Sequence, residues 1–571
     1  MVFEKAVCVI LLASVTVQAR YYLSPLSYTK LPYEVSDGDK YKLFGGTAEE
    51  SAYDPVNNML YVVGEESHLL HIIDITNPRE PQKLLSYEFY KGDGIPRDVE
   101  VCGSEVAVSL SSPISVLEGH VHFFHVYTRA STHFTHESVV AVGVLPDMIK
   151  FTPDCKKLLV ANEGLPTKDM FSNYADPQGT LHIVTRERTG NPSDRVVDFN
   201  SFNSRRDIRS VAAHIPHTLI HEGTTLAQDL EPEYIAITPD SRTAYVTLQK
   251  NNAMAVVSIG SGEISAIYPL QNKLWPTIGI DASDRDGGIH MRKYPLAGLV
   301  QPDTVKILPV GRVNYLITAN EGRISTYTKA THGFTWSDSS LAYNLVSGNK
   351  VDRVGLNNQT FYEDLRTNSK LGRLHVSTID GISPFNGQLE HIHGFGGRGF
   401  SVWNAQTMAL VYDSGSQIED ITATFMPNVF NSDCVDSPHY SPENLKDSVS
   451  DDMGPKINAL DVKEDNGTIY MVAGSETTGV LFVYELNVTS GVPIPSFQSV
   501  YRSGSTSVQW TELYDMGQAG DAYISDIGII GSEDSPTGDL LVYVIGAASG
   551  SVSIYQIGDR QEGEGQVPPV G

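Results

Sequence analysis

A unit of four short strands, repeated along the chain, is the feature that most constrains how this sequence can fold. The unit is clearest at residues 233–270, where four alternating or β-branched runs are separated by Pro-Asp and Gly-rich turns. A single four-stranded meander leaves a face exposed, whereas repeats of about 40–50 residues bury those faces against one another, as propeller blades do. The sequence therefore predicts an all-β fold of the propeller type.

Seven such units can be aligned on a turn and the strand that follows it. They begin at Glu49, Arg97, Pro146, Glu233, Pro302, Ile457 and Ser525. The last unit lacks a fourth strand, and residues 26–35 (LSYTKLPYEV) are strand-like. We therefore expect a seven-bladed β-propeller over residues 20–558, in which this N-terminal strand completes the last blade and removes its free edge. Residues 559–571 are predicted to form a flexible tail.

The first strand of most units begins with an acidic residue. The aligned residues are Glu49, Asp98, Asp147, Glu233, Asp303, Asn458 and Asp526. Because first strands line the central channel of a propeller, we expect these side chains to converge at one mouth of it. Clustered carboxylates repel one another unless cations or hydrogen-bond donors intervene. Two interpretations stay open: a bound Ca²⁺ ion, or backbone N–H groups of the neighbouring blade that hold each carboxylate.

A second acidic motif, DASDRDGG, places Asp281, Asp284 and Asp286 before two glycines. Alternating acids beside a glycine turn can wrap Ca²⁺, although the distal glutamate and the spacing of an EF-hand loop are absent. A loop built on Asx turns is the alternative. Separately, residues 118–137 contain five histidines, for which a solvated blade edge is favoured over a Zn²⁺ site.

Acidic residues outnumber basic residues by 68 to 41, which gives the chain a net charge of −27. This surplus argues against nucleic acid as a partner and favours cations or basic partners. The sequence contains no nucleophile elbow, no P-loop and no His-Glu-x-x-His motif. We therefore expect a non-catalytic protein, with a metal-dependent phosphate-ester hydrolase at the acidic ring as the alternative.

Residues 1–19 have the pattern of a secretory signal peptide, with Lys5, an apolar stretch and a small-residue cleavage site. Neither a later membrane-length apolar run nor a C-terminal lipid-anchor signal follows. We expect a protein secreted to the extracellular matrix without a membrane anchor. The sequons at Asn358, Asn466 and Asn487 are predicted N-glycosylation sites.

Three cysteines remain once the predicted signal peptide is removed, namely Cys102, Cys155 and Cys434. An oxidising compartment favours one disulfide and one leftover thiol. We favour pairing of Cys102 with Cys155, and Cys434 is then either free or paired with another molecule.

Three long motifs make the chain similar to a known family. They are GIDASDRDGGIHMRKYPLAGLVQPD at residues 279–303, FGGRGFSVWNAQTMALVYDSGSQIE at residues 395–419 and LPDMIKFTPDCKKLLVANEGLP at residues 145–166. They resemble the mesenchyme-specific cell surface glycoprotein family, which shares its propeller with bacterial secreted choice-of-anchor I proteins. That family is associated with calcified skeletons and shells. The resemblance implies a secreted acidic glycoprotein of an extracellular, calcified organic matrix, with calcium ions, a mineral surface or matrix proteins as partners.

The chain departs from the family pattern at three places. Acid-rich motifs are usual where it has Gly-Pro-Lys-Ile-Asn at residues 454–458 and Tyr-Ile-Ser-Asp at residues 523–526, and an aspartate is usual where Arg323 follows Ala-Asn-Glu-Gly. Some bacterial relatives are labelled phosphatase- or phytase-like, so the resemblance also implies the hydrolase alternative, which these departures weaken. A propeller that binds a protein partner through its long loops is a third interpretation.

Overall fold

The structure is a computed structural model that describes residues 20–168, 174–186, 193–205, 207–215, 224–329, 334–433 and 438–560. Within these residues, no helix is long and apolar enough to cross a membrane. The predicted signal peptide, Cys434 and residues 561–571 of the predicted tail lie outside the described residues.

The first half of the chain forms four antiparallel sheets of four strands each. Its strands are β1 (Tyr21–Lys30), β2 (Glu50–Asp54), β3 (Met59–Gly64), β4 (Leu69–Asp74), β5 (Gln82–Glu88), β6 (Ile95–Cys102), β7 (Glu105–Ser111), β8 (Glu118–His125), β9 (His136–Val144), β10 (Pro146–Phe151), β11 (Lys157–Asn162), β12 (Thr167–Lys168), β13 (Tyr174–Ala175), β14 (Thr180–Thr185), β15 (Ser193–Asp198), β16 (Ile235–Ile237), β17 (Thr243–Leu248), β18 (Ala253–Ser258) and β19 (Glu263–Pro269). Sheet 1 consists of β2–β5, sheet 2 of β6–β9, sheet 3 of β10, β11, β14 and β15, and sheet 4 of β16–β19. Strands β12 and β13 form a separate hairpin.

The second half forms three more four-stranded sheets and a large insertion. Its strands are β20 (Lys273–Leu274), β21 (Ala297–Leu299), β22 (Val305–Val310), β23 (Val313–Asn320), β24 (Thr326–Lys329), β25 (Phe334–Ser337), β26 (Ser339–Leu341), β27 (His375–Ser377), β28 (His393–Phe395), β29 (Gly399–Asn404), β30 (Leu410–Asp413), β31 (Ile457–Asp465), β32 (Thr468–Ser475), β33 (Val480–Thr489), β34 (Val492–Arg502), β35 (Ile524–Ile530), β36 (Leu541–Gly546) and β37 (Ser551–Asp559). Sheet 5 consists of β22, β23, β29 and β30, sheet 6 of β31–β34, and sheet 7 of β35, β36, β37 and β1. Strands β20, β21, β28, β27 and β26 form a five-stranded sheet that we call the insertion sheet, and β24 pairs with β25.

The helices of the described residues are short and lie in the connections between strands. The α-helices are α1 (Leu226–Asp229), α2 (Ala342–Ser347), α3 (Gln359–Leu365), α4 (Gln417–Phe425) and α5 (Trp510–Asp515). The 3-10 helices are Asn200–Phe202, Ile208–Ser210, Pro427–Val429 and Pro442–Leu445. Strands therefore build the framework, and helices decorate its loops.

The inner strands of the sheets are apolar along most of their length. Strands β3 (MLYVVG) and β36 (LVYVIG) are fully buried. A strand shows such a continuous apolar run when both of its faces are covered. Neighbouring sheets supply the cover here, because Leu159 and Ile183 of sheet 3 share a core with Val246 and Val257 of sheet 4.

The first strands of the seven sheets contact one another in a closed cycle. Strand β2 contacts β6, which contacts β10, and the series continues through β16, β22, β31 and β35 back to β2. Together these strands line a central channel with a volume of about 370 Å³. The sheets therefore surround a common axis, and the predicted all-β fold of the propeller type is confirmed.

Strand β1 completes sheet 7, as predicted, but with different bounds. It spans Tyr21–Lys30 and pairs antiparallel with β37, rather than covering residues 26–35. Tyr21 and Leu23 are buried in a core shared with sheet 6, which anchors the strand five residues earlier than expected. Pro25 lies at an irregularity in the pairing, where an edge strand tolerates the missing N–H.

A disulfide joins Cys102, at the end of β6, to Cys155, in the turn between β10 and β11. The two Cα atoms are 5.6 Å apart, a normal spacing for a disulfide. The bond links sheet 2 covalently to sheet 3.

Replacing Leu23 with alanine should lower the free energy of unfolding by about 2–3 kcal/mol, because it removes buried methyl groups from the strand that closes the ring of sheets. The same change at Leu84, which is 39% exposed on β5, should cost about 0.5 kcal/mol or less. Thermal and denaturant unfolding followed by circular dichroism measures both. Equal losses in the two variants would contradict the closing role of β1.

Candidate functional site

The six predicted acids do not form one ring but lie at two levels of the channel. Glu49, Asp147, Glu233 and Asp303 interact electrostatically with residues at one mouth. Asp98 and Asp526 instead line the channel itself, together with Glu50. We call these two groups the mouth and the inner level.

The difference arises because the sequence alignment is displaced by one residue in sheet 2. In sheet 2, Pro96 lies opposite Leu110 and Val99 opposite Val108. In sheet 3, Pro146 and Ile149 hold the equivalent positions opposite β11. Arg97, not Asp98, therefore corresponds to Asp147, and a basic residue occupies the mouth position of sheet 2. Alignment on the prolines Pro96, Pro146, Pro232 and Pro302 would have found it.

At the inner level, the carboxylates bind groups of the neighbouring sheet. Asp98 accepts hydrogen bonds from the N–H groups of Val99 at 2.6 Å and of Ile149, on sheet 3, at 2.7 Å. Asp526 accepts one from the Ser51 hydroxyl, on sheet 1, at 2.5 Å. These two aspartates therefore join adjacent sheets.

Asp461 repeats this arrangement in sheet 6. Its carboxylate accepts a hydrogen bond from the Ile529 N–H, on sheet 7, at 2.8 Å. The sequence analysis did not single out Asp461, because it lies three residues beyond the aligned Asn458. Its position within a first strand, two residues after Ala459, is the signal that could have identified it as channel-lining.

At the mouth, a buried lysine binds three glutamates at once. The Lys250 ammonium lies 2.9 Å from a carboxylate oxygen of Glu163, 2.9 Å from one of Glu231 and 3.4 Å from one of Glu233. The lysine side chain is only 4% exposed. Glu231 and Glu233 lie just before β16, and there they form ion pairs with Lys250, which lies just after β17. Sequence patterns do not predict this contact, since Lys250 follows a strand as an ordinary turn residue does.

Three more basic side chains reach the mouth. Arg97 forms an ion pair with Glu65 at 2.7 Å. Lys456 lies 3.5 Å from Glu476 and 3.7 Å from Glu321. Arg323 also faces these carboxylates; local desolvation of its guanidinium opposes the charge, but Glu321 and Glu233 outweigh this and raise its pKa. The carboxylates that face these four cations are Glu49, Glu65, Asp147, Glu163, Glu231, Glu233, Asp303, Glu321 and Glu476.

Shared protons reduce the negative charge at the mouth further. Burial alone would raise the pKa of Glu163, but the Lys250 ammonium outweighs it and holds the pKa at about 2. Burial and the adjacent Glu163 carboxylate raise the pKa of Glu233 well above its ordinary value, against the pull of Lys250. The two carboxylates are hydrogen-bonded to each other, so Glu233 carries the proton of the pair.

Two other mouth carboxyls titrate near neutrality. Burial, followed by the charge of Glu163, raises the pKa of Asp147 to about 7. Burial also raises the pKa of Glu476 to about 7, although Lys456 opposes the shift. Lysine, arginine and protons thus offset much of the negative charge that the clustered carboxylates bring to the mouth.

The acids of the DASDRDGG loop are also engaged by protein groups. Asp281 accepts hydrogen bonds from the N–H groups of His290 at 2.6 Å and Ser283 at 3.4 Å, as an Asx-turn loop does. Asp284 pairs with Arg373 at 2.7 Å. The same loop supplies two further ion pairs, Arg285 with Asp284 and Arg292 with Asp286.

No three His, Cys, Asp or Glu side chains among the residues that the structure describes are grouped so that they could hold a metal ion. This holds for the mouth, the inner level and the DASDRDGG loop alike.

A buried histidine that the sequence analysis missed connects two insertions. The His214 ring lies between Asp380, 2.5 Å from Nδ1, and Asp338, 3.0 Å from Nε2. Arg209 pairs with Asp380 at 2.6 Å. Burial opposes charging of the ring, but Asp380 and Asp338 outweigh it and raise the pKa of His214 to about 10. Because both ring nitrogens bind carboxylates, this imidazolium fixes structure and has no free nitrogen for acid–base catalysis.

Replacing Lys250 with methionine should lower the free energy of unfolding by about 3–5 kcal/mol at pH 8, because the buried carboxylates of Glu163 and Glu231 lose their cation. The loss should shrink as the pH falls toward 4, since the glutamates can then become protonated. Lys156→Met removes an ammonium from a side chain that is 75% exposed and should change little at either pH. Melting temperatures of both variants and the parent, measured from pH 4 to pH 9, test this prediction. A loss of stability in the Lys250 variant that does not depend on pH would contradict charge neutralisation by Lys250.

Glu49→Gln should make the protein more stable at alkaline pH. Burial, with the Glu65 and Glu66 carboxylates, raises the pKa of Glu49 to about 8. A raised carboxyl pKa contributes stability that is complete below the ordinary value of 4.5 and is lost as the pH rises through 8. Glutamine stays neutral at every pH. The free energy of unfolding of the variant should therefore exceed that of the parent by on the order of 2–4 kcal/mol at pH 9 and should equal it at pH 4.

The control for this experiment is Glu464→Gln, which changes an exposed glutamate of β31. The difference in the free energy of unfolding between this variant and the parent should not grow between pH 4 and pH 9. If the Glu49 variant follows the same flat course, Glu49 is ionised without penalty in the folded protein.

The Choice-of-anchor I domain matches residues 49–489. Gigasin-3a of Magallana gigas is 34% identical over 188 residues, which cover 33% of this chain and 64% of that protein. The Mesenchyme-specific cell surface glycoprotein of Strongylocentrotus purpuratus is 27% identical over 386 residues, which cover 62% of this chain and 47% of that protein. The chain thus spans less than two thirds of the length of either relative.

A solved β-propeller domain from Myceliophteria thermophila is 8% identical and covers 94% of this chain and 100% of its own, with a TM-score of 0.42. At that score the fold assignment rests on the strand topology described above and not on this similarity. The family assignment rests on the domain match, which spans most of the chain and includes the mouth residues from Glu49 to Glu476. The chain belongs to the choice-of-anchor I family.

Proposed function

We propose that the chain is a secreted, non-catalytic, acidic glycoprotein of an extracellular calcified matrix, which binds calcium ions over its outer surface. We further propose that its seven four-stranded sheets are the blades of a seven-bladed β-propeller. The closed cycle of contacts among first strands, and the completion of sheet 7 by β1, support the blade number.

The observation that carries the proposal is the neutralisation of the channel mouth by the chain's own cations. Lys250 and Arg97 bind the carboxylates that a catalytic metal would require. This engagement of the mouth carboxylates by the chain's own cations favours a non-catalytic role over the metal-dependent hydrolase. We therefore assign the binding function to the outer surface of the protein.

The exterior suits weak, multiple binding of a hard cation. The chain has a net charge of −27, and exposed loop carboxylates include Asp37, Glu533 and Asp539. Calcium takes oxygen ligands in flexible geometry, and a negative surface concentrates it without a preformed site. The resemblance to a family associated with calcified skeletons and shells supports calcium, a mineral surface or matrix proteins as the partners.

Several features support an extracellular location. The Cys102–Cys155 disulfide is the kind of bond that persists in oxidising compartments. Asn358, Asn466 and Asn487 are all exposed, as glycosylation requires. One relative is named a cell surface glycoprotein. We propose N-glycans at these three asparagines.

Calcium at millimolar concentration should raise the melting temperature by a few degrees, because it binds the folded surface with dissociation constants of roughly 0.1–1 mM. The control uses sodium chloride at the same ionic strength, which screens charge without coordinating carboxylates. Equilibrium dialysis against ⁴⁵Ca should show several ions per chain, with binding that weakens as sodium chloride is added. Absence of binding in dialysis and of any shift beyond the sodium control would refute the calcium part of the proposal.

A further inference from the structure

Two histidines approach each other at the outer rim of sheet 2. His122 lies on β8 and His136 on the outermost strand, β9. Phe124 lies opposite His136, and His122 is two residues from Phe124, so the histidines are diagonal neighbours on one sheet face. Their ring centroids are 5.4 Å apart, with an angle of 61° between the ring planes.

Aromatic packing fixes the rings in this arrangement. The centroid of His122 lies 6.1 Å from that of Phe89 and 6.4 Å from that of Phe124. His136 lies 5.2 Å from Phe124 by the same measure. His122 is half-buried against these rings, whereas His136 is exposed. The pair therefore combines a held geometry with access from solvent, as a binding site needs.

The ring separation matches that of two imidazoles on one metal ion. With Zn–N bonds of about 2.0–2.1 Å, each ring centroid lies about 3 Å from the metal, and a tetrahedral angle then separates the centroids by about 5 Å.

We propose that His122 and His136 form a surface binding site for a borderline first-row dication, Zn²⁺ or Cu²⁺, with water completing the coordination shell. Imidazole nitrogen is a ligand that these ions prefer, whereas Ca²⁺ prefers oxygen. The described residues contain no group of three metal-ligating side chains, so the site has two protein ligands. It is independent of the calcium-binding surface proposed above.

The test is isothermal titration calorimetry of the full chain with zinc chloride, in a buffer that contains millimolar calcium. His136→Ala should weaken zinc binding by roughly tenfold or more, since one of only two protein ligands is lost. His122→Ala should do the same. Excess calcium should leave the affinity of the parent unchanged, because it does not compete for nitrogen ligands.

The matched control is His125→Ala, which removes an exposed histidine from the same strand but from the opposite sheet face. It should bind zinc as the parent does. Because His136 is exposed, its variant should keep the parent's melting temperature in the absence of metal, which separates loss of a ligand from loss of fold. The proposal is overturned if the His136 variant binds zinc with the parent's affinity. It is also overturned if the His125 variant loses as much zinc affinity as the His136 variant does.

Discussion

The contact on which the rest of the structure depends is the one between the Lys250 ammonium and the carboxylates of Glu163, Glu231 and Glu233. Sheets arranged around an axis bring their first strands together, and here those strands and the adjoining loops carry many acids. Left unpaired in a buried position, such carboxylates would destabilise the ring by several kcal/mol each. A single buried ammonium offsets this cost for sheets 3 and 4 together.

The same problem is solved differently at each level of the channel. At the inner level, N–H and hydroxyl groups of the neighbouring sheet bind Asp98 and Asp526, so the acids join the sheets, with Lys150 and Lys306 as nearby cations. At the mouth, ion pairs and shared protons stabilise the buried carboxyl groups. These contacts make the channel a structural element, and the acidic surplus of the chain is left to act on the outside, where carboxylates stay hydrated and exchange ions freely.

Much of the fold follows from local sequence, and the site does not. Short strands, turn residues and the vacant fourth strand of the last unit are local patterns, so the sheets and the pairing of β1 with β37 could be predicted. The mouth depends on single-residue register. Arg97, not Asp98, takes the mouth position of sheet 2, and only an alignment on Pro96 instead of on the acids places it there. Glu231 contacts Lys250 because two loops approach each other in the folded chain. The spacing of residues in the sequence does not indicate this contact.

Two of the three departures from the family pattern place basic side chains at the mouth. Lys456 stands within the segment where acids are usual, and Arg323 stands where an aspartate is usual. Both side chains lie at the mouth, and both are held there by Glu321. A relative with acids at these positions would have two fewer cations and at least one more carboxylate in the same volume. Its mouth would then need a bound cation or further protons for stability. In this chain, the ammonium of Lys456 and the guanidinium of Arg323 supply that positive charge themselves.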